Sequence, residues 1–199
     1  MVRPAQTARS ERTRDALRRA ALVRFLAQGV DDTSAEQIAA DAGVSLRTFY
    51  RHFTSKHELL FADYDAGLEW FRAALQARSP DEPILQSVQS AIDASPYDPE
   101  AVAQIAALRA KELDAGRIVR HTRQVEAEFA DAIADQLSET TGPTTVDERL
   151  RIIVTARCIA AAVFGAMEMW MVGDDRSLGQ LQHLSRTALE SLRDGIIAE

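Results

Sequence analysis

The sequence predicts an all-α protein: an N-terminal three-helix helix-turn-helix head followed by a C-terminal helical bundle. Three observations carry this. The stretch Thr33 to Phe53, TSAEQIAADAGVSLRTFYRHF, parses as helix, tight turn, helix. Apolar side chains elsewhere recur at spacings of three and four, the period of a helix with one buried face. Turn-forming residues are confined to short segments, chiefly 79–100, SETTGPTT at 138–145, and Gly173-Asp174-Asp175.

Within the central stretch, Thr33 is placed to cap the first helix, with Glu36 reaching back to the cap amide. Ile38, Ala39 and Ala42 follow at helical spacing, and Gly43 stands where that helix must stop. Ser45 caps the second helix. At roughly 100° per residue, Phe49 and Phe53 lie within about 40° of each other and face inward. Arg47, Thr48 and Arg51 lie on the opposite arc, suited to base and phosphate contact, with Arg47 able to fork onto guanine. Tyr50 and His52 flank the arc at phosphate reach. Leu46 falls near the angle of Phe53, so packing is preferred to a thymine-methyl contact.

The net charge of -7 argues against DNA binding only until its distribution is read. Through Lys56 there are ten Lys/Arg against six Asp/Glu, a balance of +4; the remainder carries -11. A basic head on an acidic body orients toward a polyanion. The 46% apolar and 27% charged content is that of an ordinary soluble globular chain. The single cysteine, Cys158, excludes an internal disulfide and a cysteine-based zinc site, which makes the cytoplasm the expected compartment. The N-terminus lacks the apolar run of a signal peptide. Ile152 to Val172 is interrupted by Arg157 and Glu168, so it reads as a buried helix rather than a membrane span.

In chain order, residues 1 to 9 are expected to be a flexible arm carrying Arg3 and Arg9. A helix then runs from Ser10 to near Gly29, with Arg12, Arg14, Arg18 and Arg19 on its polar face, of which Arg18 and Arg19 read as solubilising charge rather than specific readers. Ser55-Lys56-His57-Glu58 reads as a second capping box, whose amides suit a phosphate together with Lys56. It opens one long helix to Arg78. Shorter helices are expected over Ile84 to Ala94, Pro99 toward Ala115, and Ile118 to Leu137. Val146 to Val172 is apolar nearly all round in its second half, and Leu178, Leu181, Leu184, Ala188, Leu192 and Ile196 form a stripe on the last helix. Two such helices from each of two chains make a four-helix interface, or else an intrachain core.

The helix-turn-helix stretch, the arginine-rich helix before it and SKHELL after it resemble the N-terminal domain of the TetR family of bacterial transcriptional regulators. The form A-G-V-S-x-x-T-x-Y-x-H-F followed by Lys carries the resemblance, over the first quarter to third of the chain. It implies DNA contacts at Ser34, Ser45, Leu46, Arg47, Thr48, Tyr50, Arg51, His52 and Lys56, although Leu46 departs from the polar residue often found there. It also implies a DNA-binding domain at 1–56 and an effector-binding and dimerisation domain at 57–199, with dimer contacts near Arg149 to Met171 and Leu178 to Ile196. An effector site is implied in that second domain, where the residues offer Trp70, Phe71, Leu108, Phe129, Phe164, Met167 and Trp170 as lining and Arg109, Arg123, Arg157 and Glu168 as polar groups. For each apolar one, ordinary core packing competes with that role. VSLRTFYRHF and the basic helix Leu108 to Leu137 resemble actinobacterial regulators of acyl-CoA-like ligands.

Catalytic patterns fail throughout. No two of the nine glycines lie within three residues of each other, so no glycine-rich phosphate loop exists, and there is no G-x-S-x-G elbow. HELLF places Phe61 where a zinc protease needs its second histidine. His52, His57, His121 and His183 have no metal-ligand spacing, and Glu126 and Glu128 fall on different helix faces. No enzyme activity, cofactor or metal is expected. The expected molecule is a homodimeric repressor of a palindromic operator, released by a small lipophilic or acyl-CoA-like effector. Its rivals are an effector-independent activator or architectural protein, and a helical enzyme or scaffold using the head for protein contact.

Overall fold

The computed structural model describes residues 4–96, 98–175 and 177–195. Arg3 and Ile196 lie outside them. Among the described residues there are α-helices only, plus one 3-10 turn. They are α1 (Pro4–Gln28), α2 (Ala35–Asp41), α3 (Leu46–His52), the 3-10 turn Lys56–Phe61, α4 (Ala62–Gln76), α5 (Ile84–Asp93), α6 (Pro99–Glu112), α7 (Ala115–Thr141), α8 (Val146–Val172) and α9 (Leu178–Asp194).

Several boundaries differ from the sequence expectation for identifiable reasons. The expected arm is helical from Pro4, because proline is tolerated in a first turn and nothing between it and Gln28 breaks a helix. Arg9 therefore stands on an exposed helical face. The expected helix from Ser55 to Arg78 is instead a 3-10 turn followed by α4. Helix α7 starts at Ala115 rather than the expected Ile118, with Gly116 in its first turn. The starts of α8 and α9 follow cap chemistry. Thr145 accepts from the Glu148 amide while the Glu148 carboxylate accepts from the Thr145 amide at 3.0 Å, and Ser177 accepts from the Gln180 amide. The Thr145 and Thr144 amides, with the two hydroxyls, hold the Glu148 carboxyl down at about 2.

Packing divides the chain into two units. One comprises the chain through Asp63 together with Gln104–Asp114; the other comprises Tyr64–Ala103 and the chain from Ala115 onward. The first unit has a core of Leu17, Ala21, Phe25, Val30, Ile38, Ala39, Phe49, Phe53, Leu59 and Leu60, with Leu108 and Leu113 of the α6 segment packed against it. In the second unit α8 packs on α7 and α9, and α5 on α9. Its core joins Phe71, Leu75, Val88, Ile133, Ile159, Val163 and Leu189. The indole N–H of Trp170 donates to the Ser177 carbonyl at 3.0 Å, which closes the α8–α9 connection. By length and composition α8 could cross a bilayer; it instead buries Ala156, Ile159, Ala160, Val163, Phe164, Ala166 and Trp170 in its unit.

Candidate nucleic-acid interface

The first helix of the motif is one residue out of the expected register. Its cap is Ser34, whose hydroxyl accepts from the Gln37 amide at 3.2 Å while Gln37 Oε1 accepts from the Ser34 amide at 2.9 Å. Thr33 and Glu36 do not form the box. Thr33 is buried, its hydroxyl donates to the Gly29 carbonyl at 2.7 Å and its amide to Val30 at 3.2 Å. Those bonds hold Thr33 in the α1–α2 connection and leave the next residue to start the helix. At the other end Gly43, at φ +67, turns the chain; its amide donates to Ala40, and the Val44 amide to Ala39. Such a left-handed residue favours glycine.

Ser45 caps α3, accepting from the Thr48 amide at 3.1 Å, and the two hydroxyls lie 2.9 Å apart. A seven-residue helix is too short to be stable alone, so α3 depends on its inward face. Phe49 is fully buried, Phe53 nearly so, and their ring centroids are 6.0 Å apart. Leu46 packs against the same core. Opposite, Arg47 and Arg51 are exposed, Tyr50 is 55% exposed and Thr48 is half-buried. This is a contiguous basic and hydroxyl-bearing arc, the chemistry that duplex phosphates and guanine edges accept.

His52 differs from its neighbours on the arc. It is half-buried, and its Nε2 is enclosed with no hydrogen-bond partner among the described residues. Burial, then the positive charges of Arg51 and Arg14, push its imidazole below its ordinary value. Arg14 lies with its guanidinium carbon 5.6 Å from the centre of the Phe53 ring, a cation–π contact that ties α1 to the end of α3. Arg18, expected as a solubilising charge, is instead buried and donates to Asp15. Arg24 on α1 grips Asp41 at the end of α2 through two N–H donors, Nη2 to Oδ1 at 2.9 Å, which lowers the Asp41 carboxyl. Helix α2 is thus held at both ends: by its cap and by α1.

Lys56 is turned inward onto backbone. Its ammonium donates to the carbonyls of Val30 at 2.6 Å, Asp31 at 3.0 Å and Thr33 at 2.9 Å. Glu58 accepts from the Thr54 amide, one residue earlier than the expected Ser55 box.

The expected effector-lining residues divide between the two units. Leu108 and Arg109 belong with the head. Arg109 is 2% exposed, donates through Nε to the Leu60 carbonyl at 2.7 Å and through Nη2 to Asp63, and sits over the Phe61 ring. In the other unit Phe71 stacks on Phe129 at 4.5 Å between centroids, and Phe129 meets Phe164 edge-on at 5.3 Å. Trp70 packs against that core, Trp170 is fully buried and Met167 is half-buried. Arg123, Arg157 and Glu168 are exposed. The Arg24–Asp41 and Arg109–Asp63 pairs have no sequence signal, since their partners are 17 and 46 residues apart.

The profile of "Bacterial regulatory proteins, tetR family" matches residues 17–62, which is α1 from its first buried leucine through the 3-10 turn to the first residue of α4. The HTH-type transcriptional regulator TcmR of Streptomyces glaucescens is 34% identical over 202 residues, covering 94% of this chain and 86% of TcmR. SrpR of Pseudomonas putida is 47% identical over 55 residues, 28% of this chain and 26% of SrpR. Among solved structures, Thermus thermophilus FadR, a TetR-family repressor in complex with lauroyl-CoA, aligns with a TM-score of 0.55 at 21% identity, covering 94% of this chain and 96% of that one. The SmeT–triclosan complex aligns at 0.53 and 20% identity, covering 94% of each. With TcmR matched along nearly the whole chain, and a helix-turn-helix whose basic arc is held outward by a buried aromatic pair, the chain belongs to the TetR family of DNA-binding bacterial transcriptional regulators, which are not enzymes.

Proposed function

We propose that the protein is a cytoplasmic homodimeric repressor that reads a palindromic operator with α3 and releases it when a small lipophilic or acyl-CoA-like effector binds the second unit. The observation that carries the reading is the outward arc of α3, where exposed Arg47, Tyr50 and Arg51 stand beside half-buried Thr48; in this reading Arg47 and Thr48 face base edges and Tyr50 and Arg51 reach phosphates. The hydroxyls of Ser34 and Ser45 serve as caps at the starts of α2 and α3, where this reading places their phosphate contacts. Leu46 contributes packing.

Dimerisation is supported by the outer face of α8. Leu150, Ile153, Val154, Met169 and Val172 are exposed there, an unusual amount of apolar surface for a free helix. Arg157 and Glu168, of opposite sign, are also exposed on α8, which suits a self-complementary twofold contact. Leu181, Leu184 and Ala188 of α9 remain half-exposed. Two heads about 34–36 Å apart, or a multiple, would then meet successive major-groove faces.

For the effector, Trp70, Phe71, Phe129, Phe164 and Met167 are the residues that an apolar ligand would part. Trp170 is committed to the α8–α9 connection, and Leu108 and Arg109 to the head. A ligand that binds better when the protein is off DNA shifts the population toward release. The close Phe71–Phe129–Phe164 stack favours a second reading, an effector-independent regulator with a filled core.

The test uses duplexes enriched from a random-sequence library by the full-length protein. Gel shifts of these against scrambled duplexes, with and without lauroyl-CoA or triclosan, are paired with thermal-shift scans of the protein alone. Palindromic enrichment, release by ligand and a raised melting temperature support the first reading. Palindromic binding with no ligand response supports the second. Absence of salt-sensitive binding to any duplex rejects both.

A further inference from the structure

The segment between α1 and α2 has a backbone problem that helices cannot solve. Val30 and Thr33 are fully or almost fully buried, yet the carbonyls of Val30, Asp31 and Thr33 lie in a connection without helical partners. Val30 receives the Thr33 amide at 3.2 Å, a long bond for a buried group. Buried carbonyls need donors. One atom, Lys56 Nζ, donates to all three across 23 to 26 residues of sequence: to the part-buried Val30 and Thr33 carbonyls at 2.6 and 2.9 Å, where Val30 otherwise has only the Thr33 amide, and to the more exposed Asp31 carbonyl at 3.0 Å. An ammonium has three N–H donors, so this set uses all of them.

We propose that Lys56 is a positioning residue for DNA recognition rather than a phosphate contact. By gathering three carbonyls it fixes the path from Gly29 to Thr33. That path delivers Ser34 as the cap of α2, and α2 is the helix on which α3 rests. The resemblance to the family suggested a phosphate partner for this lysine; the geometry gives its charge to the backbone of the head. Three convergent acceptors suit the compact ammonium. A planar guanidinium, whose donors diverge in a fork, does not fit that point. The proposal rests on the head being the DNA-binding part of the chain.

Full-length Lys56→Met and Lys56→Arg are compared with the wild type on a duplex enriched by the wild-type protein from a random library. Without DNA, amide exchange across residues 29–34 is expected to accelerate by about tenfold or more in both variants. With DNA, both lose about tenfold or more in affinity, while the slope of log K against log salt stays at the wild-type value. A phosphate contact gives the opposite pattern: Arg restores affinity, Met reduces the slope by about 0.9 per head, and exchange at 29–34 is unchanged. That pattern overturns the proposal. Should the Met variant fail to fold, the Arg variant decides alone, because charge without convergence separates the two roles. The exchange measurement contains no DNA, so its failure is distinct from failure of DNA binding itself.

Discussion

At the scale of single residues, the outward arc of α3 separates by burial into groups free to meet a ligand and groups held by the head. Arg47 and Arg51 are exposed, whereas His52 is enclosed on its Nε2 side. Arg47→Ala is expected to weaken binding to an enriched operator duplex by about 1–3 kcal/mol while hardly affecting a scrambled one. Equal loss on both duplexes in a gel-shift series identifies a phosphate contact instead. His52 carries a pH consequence. Its folded value is depressed, by burial first and then by Arg51 and Arg14, so the unfolded chain takes up a proton first as pH falls. Stability is full above the ordinary imidazole range and declines as pH drops below about 6.5. Melting temperatures between pH 7.5 and 5.5 are expected to fall less steeply in His52→Gln than in the wild type. The arc itself was legible in sequence because helical angle alone separates Phe49 and Phe53 from Arg47 and Arg51. The depressed imidazole of His52 was not, since its causes include the charge of Arg14 on another helix.

At the scale of elements, short helices take their boundaries from tertiary anchors. TSAEQ contains two overlapping capping patterns, Thr33 with Glu36 and Ser34 with Gln37, and local chemistry does not choose between them. The bond from the Thr33 hydroxyl to Gly29 decides the register. Likewise SKHELL has the residues of a helix start, but its lysine is drawn to the α1–α2 connection and its first turn is 3-10. Since α3 has seven residues, its stability comes from Phe49, and Phe49→Ala is expected to cost about 3–5 kcal/mol in urea unfolding, with operator affinity lost in parallel. Helix α6 contributes a buried charge pair to the same unit. Arg109→Ala leaves the Asp63 carboxylate and the Leu60 carbonyl without their donor, an expected loss of about 3–5 kcal/mol by the same measurement. A loss under 1 kcal/mol would show that the pair is dispensable. Periodicity identified α6 as a helix, but not its partner, because periodicity reports a face and not what covers it.

At the scale of the whole molecule, α8 and α9 start at Val146 and Leu178, where the sequence placed their first residues, and the structure shows Thr145 and Ser177 capping them. The exposed apolar face of α8 is the least self-sufficient surface in the second unit. If the proposed dimer forms through this face, Ile153→Glu with Val154→Glu shifts it to monomer in light scattering and weakens operator binding, since half-sites would then be bound singly. An unchanged molar mass would reject this face as the proposed contact.

The membership of Gln104–Asp114 in the head has a consequence for how this protein is made and re-engineered. The DNA reader is not a detachable cassette at the front of the gene. Its core recruits Leu108 and Leu113, and its buried arginine arrives 46 residues after the carboxylate it meets. On the ribosome the reader is therefore incomplete until that later stretch has emerged, although every residue of the recognition helix was synthesised long before. Grafting the reader onto another regulator at any single junction near Asp63 would carry the letters that address the operator and leave behind part of the frame that keeps them legible; a working chimera needs the α6 segment transplanted with them.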